Sequence, residues 1–278
     1  MTSDRYTFAK NLTREAGVII RQGYGNAKEI RKKGEIDLVT EYDLRSERFV
    51  VERLQRAFPE DAIVAEESGE YNEGSGHWFL DPLDGTVNFA HGVPVFSISL
   101  AYMVNGQLEL GVIYDPLRDE LFHARRGQGA WLDDQRLNVS SVKSLNQSLL
   151  ATGFAYDIRT RIDNNLDHFS HLALRTQGVR RLGSAALDLA YVAAGYFEGY
   201  WEMCSFPWDI AAGTLMVTEA NGVVSRAIGD RLDVSRATSI VATNGNIHNE
   251  LVDALAEGIL PPYEQEAKLK PLDEKRSS

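Results

Sequence analysis

Trp78-Phe79-Leu80-Asp81-Pro82-Leu83-Asp84-Gly85-Thr86-Val87-Asn88-Phe89 is the stretch on which the reading of the 278-residue chain turns. Its three leading apolar residues suit a short buried strand, and Pro82 stiffens the exit so that Asp81 and Asp84 can converge instead of alternating to opposite faces. Carboxylates and carbonyls are hard oxygen ligands, the kind Mg²⁺ takes in small number. Two carboxylates about 4 Å apart repel by roughly 4 kcal/mol at an effective dielectric of about 20, so such a pair wants a cation. Gly85 lets the backbone come close to a ligand, and a helix beginning at Thr86 would aim free N–H groups at an anion. The same residues also suit an Asx-Pro turn with solvated acids, an alternative that this stretch alone leaves open.

Upstream, residues 61–65 read as a short apolar strand running into Glu66-Glu67-Ser68-Gly69, and the polar, Gly-containing segment 70–76 predicts a mobile loop. Phe8, Leu12, Ala16, Ile19 and Ile20 recur at helical spacing between Asp4 and Gln22, with Gly23 and Gly25 as stop signals. Thr40 followed by Asp43 predicts a helix start, and Leu44, Val51, Leu54 and Phe58 continue its apolar face to Pro59. Downstream, 95–102 alternates as a strand, Asn105-Gly106 is a hairpin turn into 108–114, and short strands follow at 120–124 and 129–132 before a tight turn at Asp133-Asp134. Residues 1–140 thus read as an N-terminal lobe of two helices on an antiparallel sheet.

After about Ser141 strand and helix alternate. Strands are expected at 149–152, 179–182, 197–203 and 239–242; helices at 164–175, at 185–194 behind a Ser184 cap, at 210–218 and at 248–256, with a turn at Asn221-Gly222. Residues 141–260 make a C-terminal α/β lobe, and 261–278 a charged, frayed tail.

Hydrophobic residues at 44% and charged residues at 25% are ordinary globular values. A net charge of −11 disfavours direct binding of nucleic acid, and the short clusters Arg31-Lys32-Lys33, Arg125-Arg126 and Arg180-Arg181 read as solvated surface. The single cysteine, Cys204, excludes an intrachain disulfide and a zinc site of several thiolates, and fits a reducing compartment. With neither a leader-like apolar region at the N-terminus nor a run near the roughly 18 apolar residues of a spanning helix, a soluble cytoplasmic protein with no membrane partner is expected.

Three strand ends present acids: Glu66, the pair Asp81 and Asp84, and Asp209 after the strand holding Trp201. Each alone has a plain reading, Glu66-Glu67 as a solvated pair and Asp209 as an N-cap. Together the segments resemble the inositol monophosphatase family of Mg²⁺-dependent phosphomonoesterases. The matching pieces are Asp37-Leu38-Val39-Thr40-Glu41-Tyr42-Asp43, Glu66-Glu67-Ser68, the Trp78–Phe89 stretch, Gly183-Ser184-Ala185-Ala186, Glu202, Trp208-Asp209-Ile210-Ala211-Ala212-Gly213 and Thr218-Glu219-Ala220-Asn221-Gly222. The likeness runs from the first helix to about Ala256. Ala151-Thr152-Gly153-Phe154 and Gly183 through Tyr191 bring it nearest the bacterial branch.

The resemblance implies an α/β fold, an α+β layered sandwich of αβαβα type like that of fructose-1,6-bisphosphatase, with two or three Mg²⁺ ions per site. Glu66, Asp81 and the Leu83 carbonyl would hold the first ion; Asp81 bridging, Asp84 and Asp209 would hold the second; a third, weaker one would lie near Glu66. Thr86 paired with Asp43 would orient the attacking water and help to deprotonate it, Glu66 standing beside them. The N–H groups of Gly85 and Thr86, with Asp84 close by, would receive the phosphate. Gly183, Ser184, Ala185 and Glu202 match positions that contact substrate hydroxyls, with Asp209 near the ring, and Lys32 falls where members often carry a basic residue close to the metals. Paired ions roughly 3.5–4 Å apart can stabilise both the entering and the leaving oxygen of an in-line displacement, so no Ser, Cys or His nucleophile is required. His77 and His91 read as loop or core residues and Cys204 as packing, while Trp201 and Trp208 suit the core or a pocket wall. Val87 stands where many members carry Thr, and the 69–76 loop is shorter than in animal relatives, which leaves transfer of their metal affinity and substrate range open.

The expected activity is hydrolysis of small phosphate monoesters, inositol monophosphate leading, with fructose bisphosphate, NADP or histidinol phosphate as alternatives. The lack of an obvious Arg-rich pocket disfavours a doubly phosphorylated substrate. Lithium inhibition and a homodimer are expected from the family. A reading of another class also stands, since some bacterial relatives are partners of the transcription machinery.

Overall fold

A computed structural model of the chain describes residues 4–27, 30–34, 37–162 and 164–257; the expected tail at 261–278 lies outside them. Helix α1 (Arg5–Gly23) turns its Ala9, Leu12, Ala16 and Ile20 stripe inward. A two-stranded antiparallel ribbon, β1 (Ile30–Lys32) and β2 (Leu38–Thr40), leads into α2 (Glu41–Ala57). Thr40 caps α2 in a reciprocal box: its hydroxyl accepts from Tyr42 N at 3.1 Å, and Asp43 accepts from Thr40 N at 2.9 Å.

The first large sheet is built from β3 (Ala62–Ala65), β4 (Gly69–Tyr71), β5 (Gly76–Asp84), β6 (Ser97–Val104), β7 (Gln107–Asp115), β8 (Glu120–Arg125), β9 (Gly129–Leu132) and β10 (Gln135–Arg136), in the order β10-β9-β8-β7-β6-β5-β3-β4. A short helix, α3 (Thr86–Ala90), leaves β5. The second sheet contains β11 (Leu149–Thr152), β12 (Gly178–Arg180), β13 (Gly199–Ser205), β14 (Val223–Ser225) and β15 (Thr238–Thr243), in the order β12-β11-β13-β15-β14. Its helices are α4 (Leu166–Ala173), α5 (Ala185–Ala193), α6 (Pro207–Glu219) and α7 (His248–Glu257).

Burial arranges these elements in five layers. Helices α1 and α2 pack on one face of the first sheet through Ile20, Leu54, Trp78, Leu100 and Val112. Its other face, with Phe79, Ala101, Ile113 and Phe122, packs on α5 and α6, which in turn meet Tyr200, Ile240 and Ala242 of the second sheet. Leu172 of α4 and Leu251 of α7 cover the far side of that sheet around Trp201. Being sandwiched between two sheets, α6 is apolar almost all round. It lies close to β7 because residue 111 is glycine: a Cβ there would stand 2.8 Å from Ala212 Cα and O. The layered αβαβα architecture is the one expected.

The first sheet is not wholly antiparallel as anticipated, because β3 and β5 run parallel. The excursion between them holds the edge strand β4 where a loop was expected. An edge strand of three exposed or half-buried residues has no apolar alternation to betray it, and the two-residue β10 and three-residue β14 are too short to show a period. Strand β5 continues through Pro82 by slipping register against β6 between Asp81 and Asp84. That irregularity lets two acids three positions apart face one side.

Candidate metal and phosphate site

At the carboxyl end of β5 the slipped register is locked by Asp81 itself, whose Oδ1 accepts from Leu83 N at 2.9 Å. Gly85 follows at φ +96°, and a Cβ there would come within 3.0 Å of Val95 O and 3.1 Å of Gly183 O, so only glycine makes this corner. Asn88, one turn into α3, donates through Nδ2 to Val95 O at 2.8 Å and Leu182 O at 2.7 Å, fastening the corner to the segment that holds Gly183. On the neighbouring parallel strand, Glu66 N donates to Leu80 O at 3.2 Å, which sets Glu66 beside Asp81. Asp209 enters from the other half, in the first turn of α6, where its Oδ2 accepts from Phe206 N at 2.7 Å.

These segments surround one cleft of about 520 Å³. Glu66, Asp81, Leu83, Asp84, Gly85, Thr86, Gly183, Ser184, Ala185, Glu202 and Asp209 all line it. Asp43 stands behind the wall: Thr86 Oγ1 donates to its Oδ1 at 2.8 Å, and Thr86 also lies 3.0 Å from Leu83 O. Burial raises Asp43 to about 6, against the pull of its bonds to Thr40 and Thr86.

Asp84 is already engaged. Its Oδ2 accepts from Ser184 Oγ at 2.5 Å and Ala186 N at 2.9 Å, and its Oδ1 from Ala185 N at 3.2 Å, so it seals the N-terminus of α5 from the opposite half of the molecule. Ser184 and the Ala185 amide, expected to meet substrate, therefore meet Asp84 in this structure.

Burial, then Glu66, Asp84 and Asp209, push the Asp81 carboxyl well above the usual carboxylate range. Burial likewise raises Glu66, Asp84 and Asp209. The cation beside them is Lys33, whose Nζ lies 2.9 Å from Glu66 Oε1 and 2.8 Å from Glu67 Oε1. Burial alone would lower Lys33, but Glu66 and Glu67 outweigh it and hold its pKa raised. Two buried carboxylates, Asp81 and Asp84, and two half-buried ones, Glu66 and Asp209, with one ammonium nearby leave an excess of negative charge on hard oxygen donors, a set that fits a divalent ion such as Mg²⁺. Among the described residues no three His, Cys, Asp or Glu side chains already close into metal-binding geometry; the acids face a shared space instead.

The basic residue is thus Lys33, not Lys32. Lys32 is exposed on the ribbon opposite Leu38, whereas Lys33 N donates to Asp37 O at 3.0 Å in the turn and its side chain reaches the acids. Arg161 and Arg181 both line the cleft, two cations that the sequence reading did not bring there. Cys204 is half-buried on the cleft wall, 3.5 Å from Arg161 Nη2, instead of packed in the core. Trp201 is core, its Nε1 donating to Asn165 Oδ1 at 2.7 Å. Trp208 is wall, stacked on Phe206 with centroids 5.0 Å apart. His77 lies half-buried on β5 and His91 at the end of α3, both away from the cleft lining. Sequence reasoning also missed Asp37, Tyr156 and Asp188 as lining residues. For Asp188 a signal existed, the lone acid in an otherwise uncharged helix segment.

The model of the inositol monophosphatase family matches residues 1–260. An inositol-1-monophosphatase of Synechocystis sp. is 47% identical over 244 residues, covering 87% of this chain and 85% of that one. A Salmonella typhimurium protein named Nus factor SuhB is 40% identical over 261 residues, 90% of this chain and 97% of that one. A fructose-1,6-bisphosphatase/inositol-1-monophosphatase of Thermotoga maritima is 38% identical over 255 residues, 91% and 96% respectively. Among solved structures, an inositol monophosphatase from Anabaena (Nostoc) sp. superposes with a TM-score of 0.84 at 43% identity, covering 94% of this chain and 97% of that one.

Proposed function

Because this chain belongs to the inositol monophosphatase family, we propose that it hydrolyses small phosphate monoesters with Mg²⁺, inositol monophosphate being the leading substrate. What carries the reading is the meeting of Glu66, Asp81, Leu83, Asp84 and Asp209, from both halves of the chain, at one cleft beside the Thr86 and Asp43 pair. Two or three Mg²⁺ ions held by those five residues would polarise the phosphoryl group and lower the pKa of water.

The chain's own groups then have distinct tasks. Asp43, fixed by Thr40, accepts the hydrogen bond of the Thr86 hydroxyl and leaves the Oγ1 lone pairs to orient the attacking water and relay its proton. The amides of Gly85 and Thr86 receive the phosphate at the start of α3. Gly183, Ser184, Ala185 and Glu202 flank the alcohol part, with Asp209 near it. Lys33 offsets the negative charge around Glu66. In this reading the chain has two lobes, 1–140 and 141–260, that close on the cleft, and a charged tail.

Phosphate release from inositol, sugar, nucleotide and histidinol phosphates, measured with Mg²⁺ and with chelator, tests the proposal. No release from any of them by the folded protein would falsify it. The Thermotoga relative's name keeps fructose bisphosphate in the panel, and Arg161 and Arg181 add reason to include it. Lithium sensitivity, a homodimer and a cytoplasmic location belong to the same proposal; a flat lithium titration or a monomer in sedimentation at micromolar concentration would remove the first two. The Salmonella relative's name favours a second reading, service as a partner of the transcription machinery. Asp84→Asn with Asp209→Asn separates the two: phosphate release is lost under the first, and capture of transcription proteins persists under the second.

A further inference from the structure

We infer that Asp188 is a specificity-determining residue that accepts a hydroxyl of the substrate's alcohol part and so selects polyol phosphates over aryl or simple alkyl phosphates. The inference rests on the reading of the cleft as a phosphomonoesterase site. Asp188 is the only charged residue of α5, is 1% exposed and lines the cleft. Its Oδ1 is buried and has no hydrogen-bond partner among the described residues. Buried side-chain acceptors are nearly always bonded, and an exception in a ligand cleft points to a donor that arrives with the ligand.

The ordinary reason for an acid at this place, satisfaction of a helix N-terminus, is already met by others. Ser184 Oγ accepts from Leu187 N at 3.3 Å, while Asp84 takes the amides of Ala185 and Ala186. No structural amide is left for Asp188. The charged groups acting on it are Asp84 and Glu202, with Arg181 as the opposing cation. Glu202 is already held by Tyr200 Oη and by Ser205 Oγ at 3.3 Å, and has room only because residue 153 is glycine: a Cβ there would stand 2.5 Å from the Glu202 carboxyl. One partnered and one unpartnered acid therefore face the same space, which suits an alcohol with neighbouring hydroxyls.

The test compares wild type, Asp188→Asn and Asp188→Leu on myo-inositol 1-phosphate and on phenyl phosphate, with Mg²⁺ supplied. Loss of one hydrogen bond to an acid predicts that Asp188→Leu lowers kcat/KM for the inositol ester by about tenfold to a hundredfold, chiefly through KM, while phenyl phosphate changes by about threefold or less. Asp188→Asn, which keeps an acceptor, falls between. Parallel losses on both substrates, or no change on either, overturn the inference. So does a failure of the Leu variant to fold, since an acid without structural bonds is expendable to folding. Calorimetric titration with free myo-inositol keeps the two readings apart: if wild type cleaves neither ester the proposed function fails, yet weaker inositol binding by Asp188→Leu than by wild type still supports the subsite, and equal binding removes it.

Discussion

Thr86 Oγ1 lies 2.8 Å from Asp43 Oδ1, although the two residues are 43 positions apart and neither is at the surface. The other oxygen of Asp43 is spoken for by Thr40, whose amide and hydroxyl both donate to it. A side chain that normally serves only to start a helix thus also fixes a hydroxyl in the cleft.

Asp43→Asn and Thr86→Val are expected to lower kcat by about a hundredfold to ten-thousandfold, the range for losing a positioned acid–base partner. Thr86→Ser, which keeps the hydroxyl, should retain most of it. Because Asp43 also closes the α2 capping box, Asp43→Asn should cost about 1 kcal/mol of stability as well. Urea denaturation beside steady-state kinetics separates the two; unchanged kcat with lowered stability would leave Asp43 as a cap alone.

The buried acids make metal-free stability depend on pH. Burial raises Glu67 and Glu202 from 4.5 to about 7 and Asp43 to about 6, and lifts Asp81, Asp188 and Asp209 well above their ordinary range. The folded protein therefore binds more protons than the unfolded chain, and its stability falls as pH rises from about 4.5 towards about 7. His123, lowered to about 4 by burial, and His248, lowered for the same reason, work the other way, but they are outnumbered. In chelator, Tm should drop across this window; with millimolar Mg²⁺ the slope should flatten. A Tm that climbs through the window in chelator would contradict this account.

Lys33→Met removes the ammonium between Glu66 and Glu67. Since Lys33 is partly exposed, the metal-free protein should lose only about 1 kcal/mol. The rise in Tm on adding Mg²⁺ should grow, because a cation that competes for Glu66 is gone. An unchanged Mg²⁺ effect would show that Lys33 and the ion use different oxygens.

Gly111→Ala places a methyl 2.8 Å from the α6 backbone, which has no rotamer to escape by. A loss of about 1–3 kcal/mol is expected, read from the urea midpoint. Part of it should appear as weaker Mg²⁺ binding, because Asp209 rides on the first turn of α6.

Local chemistry made much of this legible in the sequence. The run at 78–80 ahead of Asp-Pro-x-Asp-Gly-Thr carries its own strand, bend and helix start, and Thr40 and Ser184 announce their helices because capping depends on nearest neighbours. What depends on distant partners was hidden. Nothing in residues 61–84 says that β3 and β5 run parallel, and the edge strands β4, β10 and β14 are too short for a period to show. The choice of Lys33 over Lys32 hangs on the turn just past a three-residue ribbon, where Lys33 N meets Asp37 O. Tyr156 and Arg161 come to the cleft on irregular chain, where no pattern links residue number to direction.

The seal that Asp84 forms on α5 crosses from the first sheet to a helix of the C-terminal half, so neither half can present a finished catalytic surface alone. A nascent chain released from synthesis at residue 150 would own most of the acids and no activity, and a fragment complementation assay should regain turnover only when both pieces dock. By contrast, the rim from Phe154 to Arg161 lies outside that seal and holds no strand or helix. Inheritance could rewrite this rim to suit a new alcohol while the phosphate end of the reaction stayed untouched.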